Sequence, residues 1–435
     1  MKQHLFLVPA IILLFSGGTG AQEKPEQWTL RNCLDYALEH NIQLKKSRIN
    51  QQLGEEDTKL AKAQFFPSLS ASIGQNVTAN GLDNTTYSGS YNLNASWTLF
   101  DGNRRTHALR QQELQDRINE LSVEQNEREI RISLVQTYMQ LLYAYEAIRI
   151  NENTVEVSKA QRDRAEELLK AGSISRVSFS QMESQYSTDK YQLVVARKNL
   201  DNYKLQLKQL LELDITEEID LVIPELTAED VMIPLPEKEV IYALALAVMP
   251  EVKSSELNIS IAELETKSAA ARYYPSLSMS AGIGTGNSSG TNFSFADQLG
   301  DRFNENIGLT LSIPIFSNRS NKTAVNKARF SLTSNRLELL NTQKALLRSV
   351  EGVYLDATSS QNQYVASAER VKYIAESYRL TEEQFYLGMK NTLELLTEKN
   401  NMLNAQQEEL QSKYMAILSI QLLNIYQDKP VNENY

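Results

Sequence analysis

Three kinds of patterning follow one another along this chain of 435 residues, and the series occurs twice. First comes an amphipathic helical segment rich in Ala, Leu, Glu, Lys and Gln, over Thr29–Gln64 and again over Lys238–Tyr273. Proline closes both, at Pro67 and Pro275, and Pro250 interrupts the second near its start. The period then drops to two. Tyr91, Leu93, Ala95, Trp97 and Leu99 alternate with Asn92, Asn94, Ser96 and Thr98. In the second copy Ile307, Leu309, Leu311, Ile313 and Ile315 alternate with Gly308, Thr310, Ser312 and Pro314. Partner runs do the same, with Leu69, Ala71 and Ile73 among serines, then Leu277, Met279 and Ala281 likewise. Third is a helical stretch of unusual length, Asn103–Lys170 and Arg319–Tyr386, with no proline and a single glycine, Gly352. At 1.5 Å per residue each rod is roughly 100 Å long. Gly172 and Gly388 end the rods, and return helices are expected over Val177–Leu213 and Leu393–Gln427.

The two copies align residue by residue. Ala63-Gln64-Phe65-Phe66-Pro67-Ser68-Leu69-Ser70 recurs 208 positions later as Ala271-Arg272-Tyr273-Tyr274-Pro275-Ser276-Leu277-Ser278, and the same shift lays Lys45 on Lys253. Farther on the shift is 216, which lays Trp97-Thr98-Leu99-Phe100 on Ile313-Pro314-Ile315-Phe316 and Gly172 on Gly388. Eight extra residues therefore lie between Ser280 and Glu305, and the Gly/Ser/Asn-rich run Gly282–Asn292 is expected to be a surface loop. The chain divides into a leader over 1–21, a first repeat over 22–213 and a linker over 214–236 carrying Pro224, Pro234 and Pro236. A second repeat over 237–428 and a tail over 429–435 complete it. In the first copy the opening and return helices, 36 and 37 residues, together match the rod of 68 between them. Two short helices stacked end to end would thus lie along one long one, in a layer whose apolar stripes need neighbours, including other copies of the chain.

Composition narrows what such an object does. With 44 basic against 54 acidic side chains and a net charge of −10, nucleic acid is not an expected partner. One cysteine, Cys33, and three histidines leave no disulfide framework, no metal cluster and no acid–base site, so no cofactor, metal or catalytic residue is expected. His40 and His107 have no triad or metal company. Residues 1–21 read as a secretory signal: Lys2 starts it, Leu5–Phe15 is a short apolar run, and Thr19-Gly20-Ala21 precedes the expected cleavage. That run is about half the length of a spanning helix, and no later stretch approaches one. Entry into a membrane is left to the strands. Their polar faces carry small uncharged groups, and their runs of about ten residues suit a tilted membrane strand. Tyr87, Trp97, Phe100 and Phe316, near strand ends, are the candidate aromatic girdle against lipid. Four strands cannot close a barrel, and an open edge in lipid leaves unpaired backbone groups at several kcal/mol each. Two chains would give eight strands with a filled lumen; three would give twelve with room for a channel.

At this point the pattern resembles the TolC family of outer membrane efflux ducts over essentially the whole mature chain. The carriers are the duplicated Phe-Phe-Pro-Ser-Leu-Ser and Tyr-Tyr-Pro-Ser-Leu-Ser, the strand endings Leu99-Phe100-Asp101-Gly102 and Ile313-Pro314-Ile315-Phe316, and the tip glycines Gly172 and Gly388. The resemblance implies a mixed fold of helices and a transmembrane β-barrel, with two tandem repeats per chain. Three chains would form a twelve-stranded barrel in the outer membrane, continued by a long helical barrel through the periplasm. Implied partners are a periplasmic adaptor (membrane fusion protein) and an inner-membrane pump or exporter, docked at the hairpin tips Gly172, Ser173, Ile174 and Gly388, Met389, Lys390. The family closes its inner end with acidic rings after the second hairpin. The first acid falls on Glu394, the second on Thr397, and a basic tip residue on Lys390. Its polar partners on the first hairpin fall on Val177 and Ser178, a departure from the family's pattern that leaves its closing salt bridge open here. The competing account of Glu394 is one more solvated charge on a Glu-rich helix. The runner-up for the whole chain is a soluble periplasmic coiled-coil adaptor or structural protein. It explains the leader and rods but not four alternating runs caught up in the duplication. A third account keeps the barrel as a protein-secretion pore or phage receptor.

Overall fold

A computed structural model describes residues 27–79, 85–290 and 292–431; the expected leader and the last four residues of the tail lie outside these. Helices α1 (Leu30–His40) and α2 (Ile42–Ala63) lead into strands β1 (Ser68–Ala79) and β2 (Thr85–Phe100), then the rod α3 (Arg104–Lys170) and the return helix α4 (Arg176–Leu210). After the short α5 (Ala228–Val231) the order repeats as α6 (Lys238–Val248), α7 (Pro250–Ala271), β3 (Ser276–Ser288) and α8 (Phe295–Asp301). Strand β4 (Asn304–Ser312), the rod α9 (Ser320–Tyr386) and α10 (Thr392–Tyr426) complete it. Both rods leave the sheet through a left-handed pair, Gly102-Asn103 in the first copy and Asn318-Arg319 in the second. Glycine suits the first because a Cβ there would stand 2.8 Å from the Ala271 carbonyl oxygen.

The helices form one layer in the order α2 and α4, α3, α7 and α10, α9. End-to-end stacking is realised at the waist. The Asn41 amide donates to the Leu210 carbonyl at 3.3 Å, and Glu212 accepts from the Ile42 N–H at 3.1 Å, joining the head of α2 to the foot of α4. On the other side, Arg128 of α3 reaches Met249 Sδ (2.8 Å) and the Ile425 carbonyl (3.4 Å), where α7 meets α10. The first helical segment is also broken, at Asn41, in register with the Pro250 break under the 208-residue shift. No proline marks it; Asn41 leaves helical geometry and its side chain caps the Gln43 and Leu44 N–H groups.

The main core sits at this waist, where Leu30, Leu134, Leu142, Leu207 and Ile417 are fully buried. The segment 214–236 is pinned there: the Trp28 N–H donates to the Asp220 carbonyl at 2.8 Å, and the Tyr138 hydroxyl to the Val222 carbonyl at 3.0 Å. Cys33 is fully buried in the same core, and desolvation pushes its thiol up to about 12, so it stays protonated and unreactive near neutral pH.

One four-stranded antiparallel sheet, ordered β1-β2-β3-β4, carries all the strands among the described residues. Pairings such as Leu69↔Ala95, Leu93↔Ile283 and Ala281↔Ile307 put the predicted apolar positions that lie in regular pairing on one face. The opposite face holds only Ser, Thr, Asn and Gly from one edge to the other. Two expectations are corrected. The run Gly282–Asn292 is not a loop throughout, because β3 continues to Ser288. Gly282, Gly284 and Gly286 fall in phase with Ser278 and Ser280 on the polar face. At Gly286 a Cβ would lie 2.6 Å from the Gly89 carbonyl oxygen, and at Gly282 and Gly284 it would lie 2.8 and 2.7 Å from the Asn306 and Asn92 side-chain oxygens, so these glycines mark close approach in a strand. The connection that accommodates the eight added residues carries the seven-residue α8. Strand β4, in turn, stops at Ser312, short of Ile313 and Ile315; Pro314 has no N–H for a ladder. A bulge at Leu99 brings Phe100 opposite Leu277.

Candidate functional site

Two places carry chemistry that a channel can use: the two faces of the sheet, and the two helical hairpin tips at the far end of the rods.

On the sheet, Trp97 and Phe100 lie at the end of β2 next to the helices, and Tyr87 near its opposite end, opposite Val77. All three are exposed, and the Trp97 indole N–H donates to the Phe65 carbonyl at 2.8 Å, fixing the ring at the helix–strand junction. Phe316 stands beyond β4 and is 84% exposed. The candidate girdle residues thus fall at both ends of the strands. The apolar face between them is left uncovered: Leu69, Ile73, Ile307 and Leu309 are each more than two-thirds exposed.

Both tips share one design. Gly172 and Gly388 adopt left-handed φ of 75° and 76°. The N–H of the following residue reaches back to close each rod, Ser173 to the Leu168 carbonyl and Met389 to the Gln384 carbonyl, both at 2.9 Å. A Cβ at either glycine would meet nothing, so the constraint is the backbone angle alone. The return helices are then capped, by Ser175 on the Ser178 N–H and by Asn391 on the Glu394 N–H.

Glu394 has a defined local role. Its carboxylate accepts from the Asn391 N–H at 2.9 Å, completing a capping box, and from Lys390 Nζ at 2.7 Å. The Asn391 N–H first, then the Lys390 ammonium, hold this carboxyl below the usual glutamate range. Its contribution to the cap is therefore present above the unfolded-state value and fades as pH falls through the lowered folded value. Thr397 is exposed and turned back to the Leu393 carbonyl at 2.8 Å. Lys390, Glu394 and Thr397 thus occupy the first two turns after the second tip, with Lys390 engaged by Glu394 of its own chain.

Of the tip residues, Gly172, Ser173, Gly388 and Met389 are exposed. Ile174 is not free: it packs into a small cluster with Ala165, Met182, Phe385, Leu395 and Leu396, which welds the two hairpins together. Sequence reasoning missed Leu387 and Leu393, 75% and 65% exposed beside Met389. Apolar residues flanking a tip glycine were the available signal. It also missed the polar ties just behind the tips. Gln161 of α3 donates to the Tyr378 hydroxyl (2.7 Å) and to Glu382 (2.9 Å) of α9. Asp189 of α4 is 3% exposed and accepts from Lys399 of α10, from Ser158 of α3 at 2.6 Å and from Gln185 at 2.8 Å. No sequence signal distinguishes these charges from the many solvated ones on the same helices.

The sequence model of the outer membrane efflux protein family matches residues 33–212 and 241–424. The outer membrane protein TolC of Escherichia coli (strain K12) is 21% identical over 433 residues, covering 95% of this chain and 84% of TolC. The outer membrane efflux protein BepC of Brucella suis biovar 1 is 21% identical, covering 96% and 89%. Among solved structures, CusC superposes with a TM-score of 0.79 at 17% identity, over 97% of this chain and 98% of CusC.

Proposed function

Since this chain belongs to the outer membrane efflux protein family and is a subunit of an outer membrane export channel rather than an enzyme, we propose that three copies close into one duct. The duct would pass substrates from an inner-membrane pump or exporter, through a periplasmic adaptor, to the outside, in efflux or type I secretion. The observation that carries this reading is the sheet: four strands with both edges, β1 and β4, unpaired and one face apolar. With an even strand number, β4 of one copy meets β1 of the next antiparallel, so copies add without a seam. Twelve strands leave a water-filled lumen lined by the Ser, Thr, Asn and Gly face.

The helices support the same closure. At one edge of the layer α2 and α4 expose Ile49, Leu53, Tyr191 and Val194; at the other α9 exposes Phe330, Leu337, Val365 and Tyr373. Each set is an apolar stripe that the opposite edge of the next copy can cover. Tyr87 and Trp97 fit the girdle reading by length. Ten residues apart on β2, they are separated by about 33 Å along the strand, or about 25 Å across the bilayer at a tilt near 40°, which matches the apolar band of such barrels. The soluble-adaptor reading has no place for this sheet.

Each family-matched segment, 33–212 and 241–424, takes one repeat, with 214–236 as the equatorial link. The exposed Leu387, Met389 and Leu393 make the second tip the adaptor contact. Met389→Glu should abolish export in cells while the purified particle keeps its mass; loss of the oligomer instead would assign Met389 to assembly. Ile174 is a poor probe, because it packs between the hairpins.

Glu394 supplies the innermost acidic ring of the duct, three carboxylates around the axis. Glu394→Gln isolates the charge, since glutamine also serves a capping box. The expected result is weaker block of single channels by divalent cations added from the periplasmic side, with unchanged assembly. A block identical to the parent's would contradict the ring.

A further inference from the structure

We propose that α8 and its flanking phenylalanines form an interfacial foot that embeds in the outer leaflet beside the barrel, so that the second repeat grips lipid at its outer rim. The proposal rests on the sheet lying in the outer membrane with the helices in the periplasm, which puts the connection 289–303 at the outer surface.

Three observations carry it. Strand β4 pairs with β3 only from Ser276↔Ser312 to Gly284↔Asn304, so the outer four residues of β3 lose their partner on that side. Helix α8 takes the vacant place. Gln298 accepts from the Ser288 N–H at 2.8 Å, Arg302 donates to Ser288 Oγ at 2.7 Å, and the Thr285 hydroxyl donates to the Leu299 carbonyl at 2.6 Å. Thr285 pairs with Tyr91 and so lies in phase with Ile283 and Ala281. The hydrogen bond to Leu299 therefore holds α8 on the lipid side of the sheet.

The second observation is what α8 presents. Phe293, Phe295 and Phe303 are 62%, 54% and 57% exposed within eleven residues. Phe303 precedes β4 in the phase of Ile307 and Leu309, continuing the apolar face outward. Between Phe303 and Ile307 stands Glu305, opposite Ile283; Ser288, which anchors α8, pairs with Ser88 beside Tyr87 of the candidate girdle. The charged side chains of the segment, Asp297, Asp301 and Arg302, are exposed. Apolar rings against acyl chains with charges among headgroups is the arrangement of a helix lying in the interface.

The third is the asymmetry of the duplication. Five positions, 80–84, separate β1 from β2, whereas fifteen, 289–303, separate β3 from β4. A longer water-exposed loop does not call for three phenylalanines, and their exposure costs nothing only if lipid covers them.

The full chain, purified and reconstituted in phosphatidylcholine vesicles, tests this with Phe295→Cys labelled by an environment-sensitive dye. Cys33 is buried and stays unlabelled. Leu309→Cys, on the apolar face level with the Met279–Trp97 pair, is the internal standard. The expected result is quenching of the Phe295→Cys dye by headgroup-level nitroxide lipids and protection from aqueous iodide, with Leu309→Cys likewise quenched by nitroxide lipids. A Phe295→Cys dye quenched by iodide alone overturns the proposal in favour of a solvated loop. One shielded from both overturns it in favour of contact with β1 of a neighbouring copy. A Leu309→Cys dye untouched by any nitroxide lipid would instead show that the sheet itself is not in the bilayer.

Discussion

Asp189→Ala is expected to cost about 3–5 kcal/mol, because it strands the Lys399 ammonium in the interior. Lys399 and Asp189 are 5% and 3% exposed, and Asp189 is the hydrogen-bonded partner that makes burial of the ammonium tolerable. The same carboxylate holds Ser158 and Gln185, so its loss releases α3, α4 and α10 from one another just behind the tips. The loss should be local. Hydrogen exchange in the hairpin ends of α4 and α10 should rise, while the waist around Leu134 and Leu207 keeps its protection. The pair Asp189→Leu with Lys399→Met separates charge from packing. Replacing both ions by apolar groups removes the desolvation penalty along with the attraction, so protection should return to near the parent's. If Asp189→Ala alone leaves exchange unchanged, the pair does not hold the tips.

The second large effect concerns two neighbours on β2. Leu93 faces the apolar side between Tyr87 and Trp97, whereas Asn94 faces the polar side. Leu93→Arg puts a cation against hydrocarbon, at a cost of about 2–4 kcal/mol near the bilayer midplane. Yield of folded, heat-resistant barrel should fall sharply. Asn94→Arg puts the same charge into the lumen, where water solvates it. Folding should be retained, and the added positive ring should shift reversal potentials toward anion selectivity. Comparable folding yields for the two variants would mean that the faces are assigned wrongly.

Much of this was legible because period and repetition are local properties of the chain. The alternation around Leu93 and Leu309 fixed which side chains share a face, and the recurrence of Phe65-Phe66-Pro67 as Tyr273-Tyr274-Pro275 fixed the element order in both copies. What escaped was set by partners distant in sequence or by residues with two meanings. Glycines at 282, 284 and 286 read as a loop, since nothing in the sequence reveals that Asn306, Asn92 and the Gly89 backbone press against them from the neighbouring strands. Asn41 carries no proline, so its break showed only through the cap it forms. Asp189 and Lys399 are 210 residues apart and sit on helices full of charges. Ile174 looked like a free tip residue because its neighbour Phe385 comes from the other hairpin.

The central claim is that four open-edged strands close only in company. Its most direct test is the mass of the detergent-extracted particle, by light scattering corrected for bound detergent. The account predicts three chains, each no heavier than the 49.3 kDa of the full sequence. A monomer recovered from water without detergent would contradict it, since neither the apolar face around Leu309 nor the edges of β1 and β4 could then be covered.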